Sequence, residues 1–263
     1  MKLAVTGATG RMGKTLMRAI HDHEGTMLVG STERADRLAE AAAMIAREEF
    51  EGAIVTNSLD DLFAEADGII DFTAPEYSLQ VAEMAADMKK VHICGTTGFT
   101  PDQHKKMASY GNSARIVWAP NMSICVNLFI GLVEQAAKAL DDDFDIEIVE
   151  MHHHKKQDAP SGTALALGRA AAEGRGVALD KEAVRARDGI TGERKKGTIG
   201  FAALRGGDVV GDHTVIFAGE GERLELTHKA SSRAIYANGA IRAALWAKKQ
   251  KPGFYSMKDV LGL

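Results

Sequence analysis

Residues 2–13 read KLAVTGATGRMG, an apolar run that passes straight into Gly7-Ala8-Thr9-Gly10-Arg11-Met12-Gly13 and then into RMGKTLMRAIHDH. The opening run has the pattern of a buried strand, and the segment after it has helical spacing. The glycines therefore sit directly between a strand and a helix. Glycine permits a tight turn there and lets backbone N–H groups approach a pyrophosphate, whose charge is favoured at the helix N-terminus. Gly7, Ala8, Thr9, Gly10, Arg11 and Met12 are thus candidate dinucleotide ligands.

A second strand, MLVGST, leads to Glu33, about 20 residues beyond Gly13, where a dinucleotide fold sets an acidic side chain on the ribose hydroxyls. Arg34 follows at once and suits a 2′-phosphate, so the pair is compatible with NADH and with NADPH. Onward, RLAEAAAMIAREEF, AIVT, DGIIDFT, SLQVAEMAADMKK, VHICGTT and ARIVWAP keep alternating helical and strand-like runs. That alternation predicts βαβ units and a parallel sheet covered on both faces, a doubly wound Rossmann-type α/β domain. Ligands of such open sheets lie outside the carboxyl ends of the strands. The same edge adds Phe72 and Thr73, then Gly95, Thr96 and Thr97, then Ala119, Pro120, Asn121 and Met122 as cofactor candidates.

After Val126 the character changes. A helical stretch, VNLFIGLVEQAAKAL, precedes strand-like DIEIVEMHH, the helix ALALGRAAAEG, and the runs TIGFAALR, VVGDHTVIFA and RLELTHKA divided by glycine-rich turns. These predict a second, α+β domain with an open mixed or antiparallel sheet. The segment EGRGVALDKEAVRARDGITGERKKG reads as a charged, solvated loop, and AIYANGAIRAALWAKK as a helix.

Composition narrows the class. The chain has 263 residues, 45% hydrophobic and 26% charged, which suits one large or two modest folded domains. A net charge of -4 argues against a general nucleic-acid or anionic-membrane surface, and no basic helix-turn-helix pattern is found, so a small-molecule partner is expected. No apolar run reaches the roughly 18 residues of a membrane helix, and the opening carries no export pattern, so the sequence predicts a cytoplasmic protein. Cys94 and Cys125 are expected to be reduced core residues.

The stretch EMHHHKKQDAPSGTALALG, residues 150–168, concentrates titratable nitrogen. If the strand runs through the histidines, His152 and His154 share one face and His153 takes the other. Lys155 and Lys156 oppose a divalent cation, so no metal is expected and an anion-binding acid/base site is favoured. Pro160 disfavours helical geometry at Ala159, while Ser161, Gly162 and Thr163 offer capping chemistry and open N–H groups at a helix start, which suits a carboxylate. The pattern points to a small acidic substrate that receives a proton.

GATGRMG, DFTAPE, GTTGF, APNMS, EMHHHKKQDAPSGTA, VVGDHTVIFA and ERLELTHKASSR, in this order and across essentially the whole chain, resemble the dihydrodipicolinate reductase family. Its members are also called 4-hydroxy-tetrahydrodipicolinate reductases and serve the bacterial lysine and diaminopimelate pathway. The resemblance implies NADH- or NADPH-dependent reduction of dihydrodipicolinate, formed from 4-hydroxy-tetrahydrodipicolinate, to tetrahydrodipicolinate. It makes His152 a proton donor/acceptor and Lys156 a proton donor. His153, Ser161, Gly162 and Thr163 become holders of the substrate dicarboxylate, and the strand-end residues named above become cofactor ligands. It also implies a dinucleotide-binding domain of residues 1–123 and 233–263, the last helix returning to it, and a substrate-binding and oligomerisation domain of 124–232. Hinges are expected near 121–126 and 231–233, and a homotetramer through the second sheet.

Overall fold

A parallel strand with helices on both sides must be apolar on both faces. In the computed structural model, which describes residues 1–263 except for the side chain of Asp141, β1 (Lys2–Thr6) meets that demand. Leu3 and Val5 join Leu16, Met17 and Ile20 on one side, while Ala4 joins Phe63, Val81 and Ala85 on the other. Each large side chain fully buried in this way contributes roughly 1.5–3 kcal/mol.

The chain continues through α1 (Arg11–Asp22), β2 (Met27–Thr32), α2 (Leu38–Arg47), β3 (Ile54–Thr56), α3 (Leu59–Glu65), β4 (Gly68–Asp71), α4 (Pro75–Asp87), β5 (Val91–Cys94), α5 (Pro101–Tyr110) and β6 (Arg115–Trp118). Next come α6 (Ile124–Ala139), β7 (Asp145–His152), α7 (Gly162–Gly174), α8 (Leu179–Glu182), β8 (Ala183–Val184), β9 (Ile199–Arg205), β10 (Gly211–Ala218) and β11 (Arg223–Ala230). The last elements are α9 (Ala234–Ala247), β12 (Gly253–Tyr255) and α10 (Met257–Leu261). The chain divides into two compact units, Met1–Ile124 with Arg233–Leu263, and Cys125–Ser232.

In the first unit the strand order is β12-β6-β5-β4-β1-β2-β3, parallel throughout. Strand succession runs outward in one direction from β1 and in the other from β4, so the switch point lies between them. The alanine-rich α9 buries Ala237, Ala240 and Ala244 in the same cluster as α1. Sequence patterning missed α3, α5, β12 and α10, three of them short. Two carry capping boxes that mark their starts: Thr100 with Gln103 for α5 and Ser256 with Asp259 for α10.

The second unit has a sheet of order β11-β10-β7-β9-β8, antiparallel from β11 to β7 and parallel from β7 to β8, so it is mixed. β7 alternates half-buried and buried residues along its whole length, as a strand with one covered face must. Its inward Ile146 and Ile148 pack with Phe129 and Val133 of α6 and Leu167 of α7.

Two expectations need correction. The charged segment after α7 is not simply a solvated loop, because it contains α8 and β8, and Arg187 and Arg194 both bond to the Glu147 carboxylate. Cys125 is exposed, because the first turn of α6 turns it away from the apolar face that buries Val126 and Phe129, whereas Cys94 is buried. No helix among the described residues is long and apolar enough to cross a membrane.

Candidate active site

Because the strands of the first sheet are parallel, the loops after β1, β2, β4, β5 and β6 all leave from one edge. That edge carries every cofactor candidate from Gly7 to Met122. The turn after β1 is built as the sequence predicts. Gly7 has φ +71, and a Cβ on Gly13 would lie 2.1 Å from the Gly7 carbonyl oxygen, so helix α1 can start this close only with glycine there. Thr9 donates its backbone N–H at 2.9 Å and its hydroxyl to the Glu33 carboxylate, and Arg34 N donates to the other oxygen at 3.0 Å. Burial works against ionisation of Glu33, but these donors outweigh it and hold the carboxyl below its ordinary range.

A cavity of about 490 Å³ opens beside Gly7, Glu33, Arg34 and Thr73, with Asn57 and Tyr77 completing its wall. A positive-φ glycine, a helix start and an anionic carboxylate around one cavity fit the adenosine half of a dinucleotide. Asn57 and Tyr77 escaped the sequence reading, since neither lies in a glycine turn. Arg34 is exposed and pairs with Asp36 at 3.4 Å.

Asp71, at the end of β4, was also missed. It is fully buried and accepts hydroxyl protons from Thr6 at 2.7 Å, Thr73 at 2.6 Å and Ser78. Thr96 Oγ1 in turn accepts from Thr73 N at 2.9 Å and lies 2.8 Å from Ser78 Oγ. The Thr96 side chain is thereby spent inside the protein, and its carbonyl accepts from Trp118 Nε1 at 3.1 Å. Burial opposes the Asp71 charge, yet His92, Ser78 and Thr6 keep its pKa below the usual carboxylate range. Cys94 beside it is pushed up to about 12 by burial and by Asp71. Asp71, His92 and Cys94 lie close enough to suggest metal ligands. A carboxylate saturated by hydroxyls and a thiol held protonated make a poor donor set, however.

In the second unit β7 ends at His152, and the chain then turns, with Lys156 N bonded to His153 O at 3.1 Å. His152 and His154 therefore do not share a strand face, which corrects the expectation. His152 is buried, while His154 is exposed with Nδ1 2.9 Å from Gly207 O. His153 is half-buried and its N–H donates to Val209 O at 2.7 Å. Lys156 Nζ donates to Asp158 Oδ1 at 2.8 Å. Ser161 caps α7 as its sequence predicts, its Oγ accepting from Ala164 N at 3.1 Å, with Gly162 and Thr163 forming the first turn.

These elements are tied together by Glu150, a residue the sequence reading passed over. Its carboxylate takes His152 Nδ1 at 2.6 Å, Ser161 N at 3.1 Å and both ends of the Arg205 guanidinium at 2.8 and 2.9 Å. Burial would raise its pKa, but Arg205 and His152 outweigh that and lower it. An ionised carboxylate only accepts, so the proton of the pair resides on His152 Nδ1 and leaves Nε2 to exchange protons. His213, opposite Glu150 in the β10–β7 register, has its Nε2 2.9 Å from Ser161 Oγ. Burial and neighbouring His152 bring its pKa down to about 4.

Residues 1–122 match the family model described as "Dihydrodipicolinate reductase, N-terminus", and residues 125–261 match "Dihydrodipicolinate reductase, C-terminus". This chain belongs to the dihydrodipicolinate reductase family. It is 56% identical over 266 residues to 4-hydroxy-tetrahydrodipicolinate reductase 1 of Mesorhizobium japonicum, covering 100% of this chain and 97% of that one. It is 54% identical over 265 residues to the 4-hydroxy-tetrahydrodipicolinate reductase of Rhodopseudomonas palustris strain BisB18, covering 100% and 98%. In fold it is similar to a dipicolinate-bound dihydrodipicolinate reductase from Paenisporosarcina sp. TG-14, with TM-score 0.78, 22% identity and 97% of each chain covered. The chain pairs a Rossmann-type unit with a mixed-sheet unit. Glu150 was discoverable as a charge in phase with the inward Ile146 and Ile148 of β7.

Proposed function

We propose that this chain reduces dihydrodipicolinate, formed from 4-hydroxy-tetrahydrodipicolinate, to tetrahydrodipicolinate with NADH or NADPH, in lysine and diaminopimelate biosynthesis. The observation that carries the reading is the Glu150 carboxylate holding both the His152 imidazole and the amide of Ser161, the N-cap of α7. Acid/base chemistry and carboxylate recognition thus meet at one point.

When bound, the nicotinamide supplies a hydride. Gly7, Ala8, Thr9, Gly10, Arg11 and Met12 would hold the pyrophosphate, and Glu33 and Arg34 the adenosine ribose. Phe72, Thr73, Gly95, Thr96, Thr97, Ala119, Pro120, Asn121 and Met122 would line the rest of the dinucleotide path. His153, Ser161, Gly162 and Thr163 would hold the dicarboxylate, since the first-turn N–H groups of a helix favour anions. Lys156 Nζ would give a proton to the carbon that becomes electron-rich on reduction, and His152 Nε2 would take up and release a proton beside it. Cationic groups aimed at developing negative charge lower the barrier without reorganisation. The overall change adds one hydride and one proton to the ring.

The outer face of the second sheet, opposite its helices, carries Val149, Met151 and Ile216 half-buried and Leu204 at 50% exposure. This apolar face supports assembly into a homotetramer, which sedimentation would reveal. Reliance on the NAD(P)H pool supports a cytoplasmic site of action.

The test is loss of NADH or NADPH absorbance on addition of freshly generated dihydrodipicolinate. Consumption that depends on the substrate is expected, and none with either nucleotide would refute the proposal.

A further inference from the structure

A buried carboxylate is costly unless each of its oxygens is partnered, and Glu150 is about 1% exposed. Its three partners come from separate elements, and one of them is braced by a further contact. His152 lies at the end of its own strand, Arg205 at the end of β9, Ser161 at the N-cap of α7, and Asp158 joins through its carbonyl, which accepts from Arg205 at 2.7 Å. The bidentate Arg205 fork fixes the plane of the carboxylate, and that plane fixes the imidazole. Gly211, at the start of β10, completes the setting: a Cβ there would stand 2.9 Å from His152 Nε2.

We propose that Glu150 is the positioning residue of this site, locking His152 in the tautomer that leaves Nε2 available while holding the start of helix α7 in register with it. The inference rests on the acid/base role given above to His152. Its consequence is that proton transfer and carboxylate binding are mechanically one unit, so that disturbing Glu150 affects both together. The groups shown around His152 are Glu150 on its own strand, bonded to its Nδ1, Arg205 of β9 on the same carboxylate oxygen, and the His213 ring of β10. Of these, Glu150 alone both contacts the imidazole and carries a negative charge.

The test compares Glu150→Gln, Glu150→Asp and His152→Gln in the full chain. Glu150→Gln is expected to lower kcat about 100-fold and raise KM for the substrate, with NADH affinity unchanged, because only the substrate unit is disturbed. Nitrogen NMR of the His152 ring should show the proton on Nδ1 in the wild type and a shift toward Nε2 in the variant. This readout needs no turnover. Should Glu150→Gln fail to fold, Glu150→Asp serves, keeping the charge but too short to reach both partners: KM rises while the proton stays on Nδ1. Wild-type kinetics and an unchanged tautomer in whichever variant folds would overturn the inference. If Glu150→Gln is unaffected while His152→Gln is crippled, only the positioning role fails. Wild-type turnover in His152→Gln would remove the acid/base reading beneath it as well.

Discussion

Glu33, just past the end of β2, and Thr9, in the turn after β1, are joined twice, by the Thr9 amide and by its hydroxyl, both donating to one carboxylate oxygen. The acidic residue proposed to hold the ribose thus also shapes the glycine turn. Glu33→Ala is expected to weaken NADH binding about 10- to 100-fold, the scale of a lost charged hydrogen bond, and NADPH binding less, since the 2′-phosphate is spared a like charge. Fluorescence titration with both nucleotides measures this. Unchanged NADH affinity would remove Glu33 from the site.

Gly13→Ala tests the turn itself. The added methyl would press on the Gly7 carbonyl, backbone that cannot rotate away. A stability loss of about 1–3 kcal/mol is expected in urea unfolding, together with weaker nucleotide binding. A variant as stable as the wild type would mean that α1 does not depend on this close approach.

His213 predicts a pH effect whose sign follows from its depressed pKa. The unfolded imidazole takes up its proton near 6.5, the folded one only near 4, so between these values the unfolded chain binds the extra proton. Stability should therefore fall as pH drops through that window, by about 2 kcal/mol at about pH 5, where the depressed carboxylates are still ionised. In His213→Gln this part of the dependence should vanish. An identical slope in both proteins would contradict the buried, neutral imidazole.

Gly211→Ala adds one carbon against His152 Nε2. Because the contact is with the nitrogen proposed to exchange protons, kcat should fall at least about 10-fold while NADH affinity holds. Unaltered kcat would show that the Nε2 side of the ring is not used.

Much of this was legible in the sequence because it depends on local chemistry. Gly7 to Gly13 declare a turn, Ser161 declares a cap, and the parallel strands follow from short buried runs alternating with helices. What stayed hidden depends on residues far apart in the chain. Nothing local reveals that Arg205 will meet Glu150, or that His213 will meet Ser161, because those pairings are set by strand register across the second sheet. Asp71 looked like an ordinary strand end until Thr6, Thr73 and Ser78 converged on it. A face shared by His152 and His154 depends on strand alternation continuing past His152, and there the backbone instead turns to bond with 207 and 209.

Lys156 carries the central claim, that the histidine–lysine stretch supplies the proton that completes the reduction. The decisive measurement is steady-state kcat of Lys156→Ala with freshly generated dihydrodipicolinate, alongside NADH binding by the same protein. The account predicts a loss of turnover of about 100-fold or more with NADH affinity nearly unchanged. Turnover equal to the wild type would contradict it.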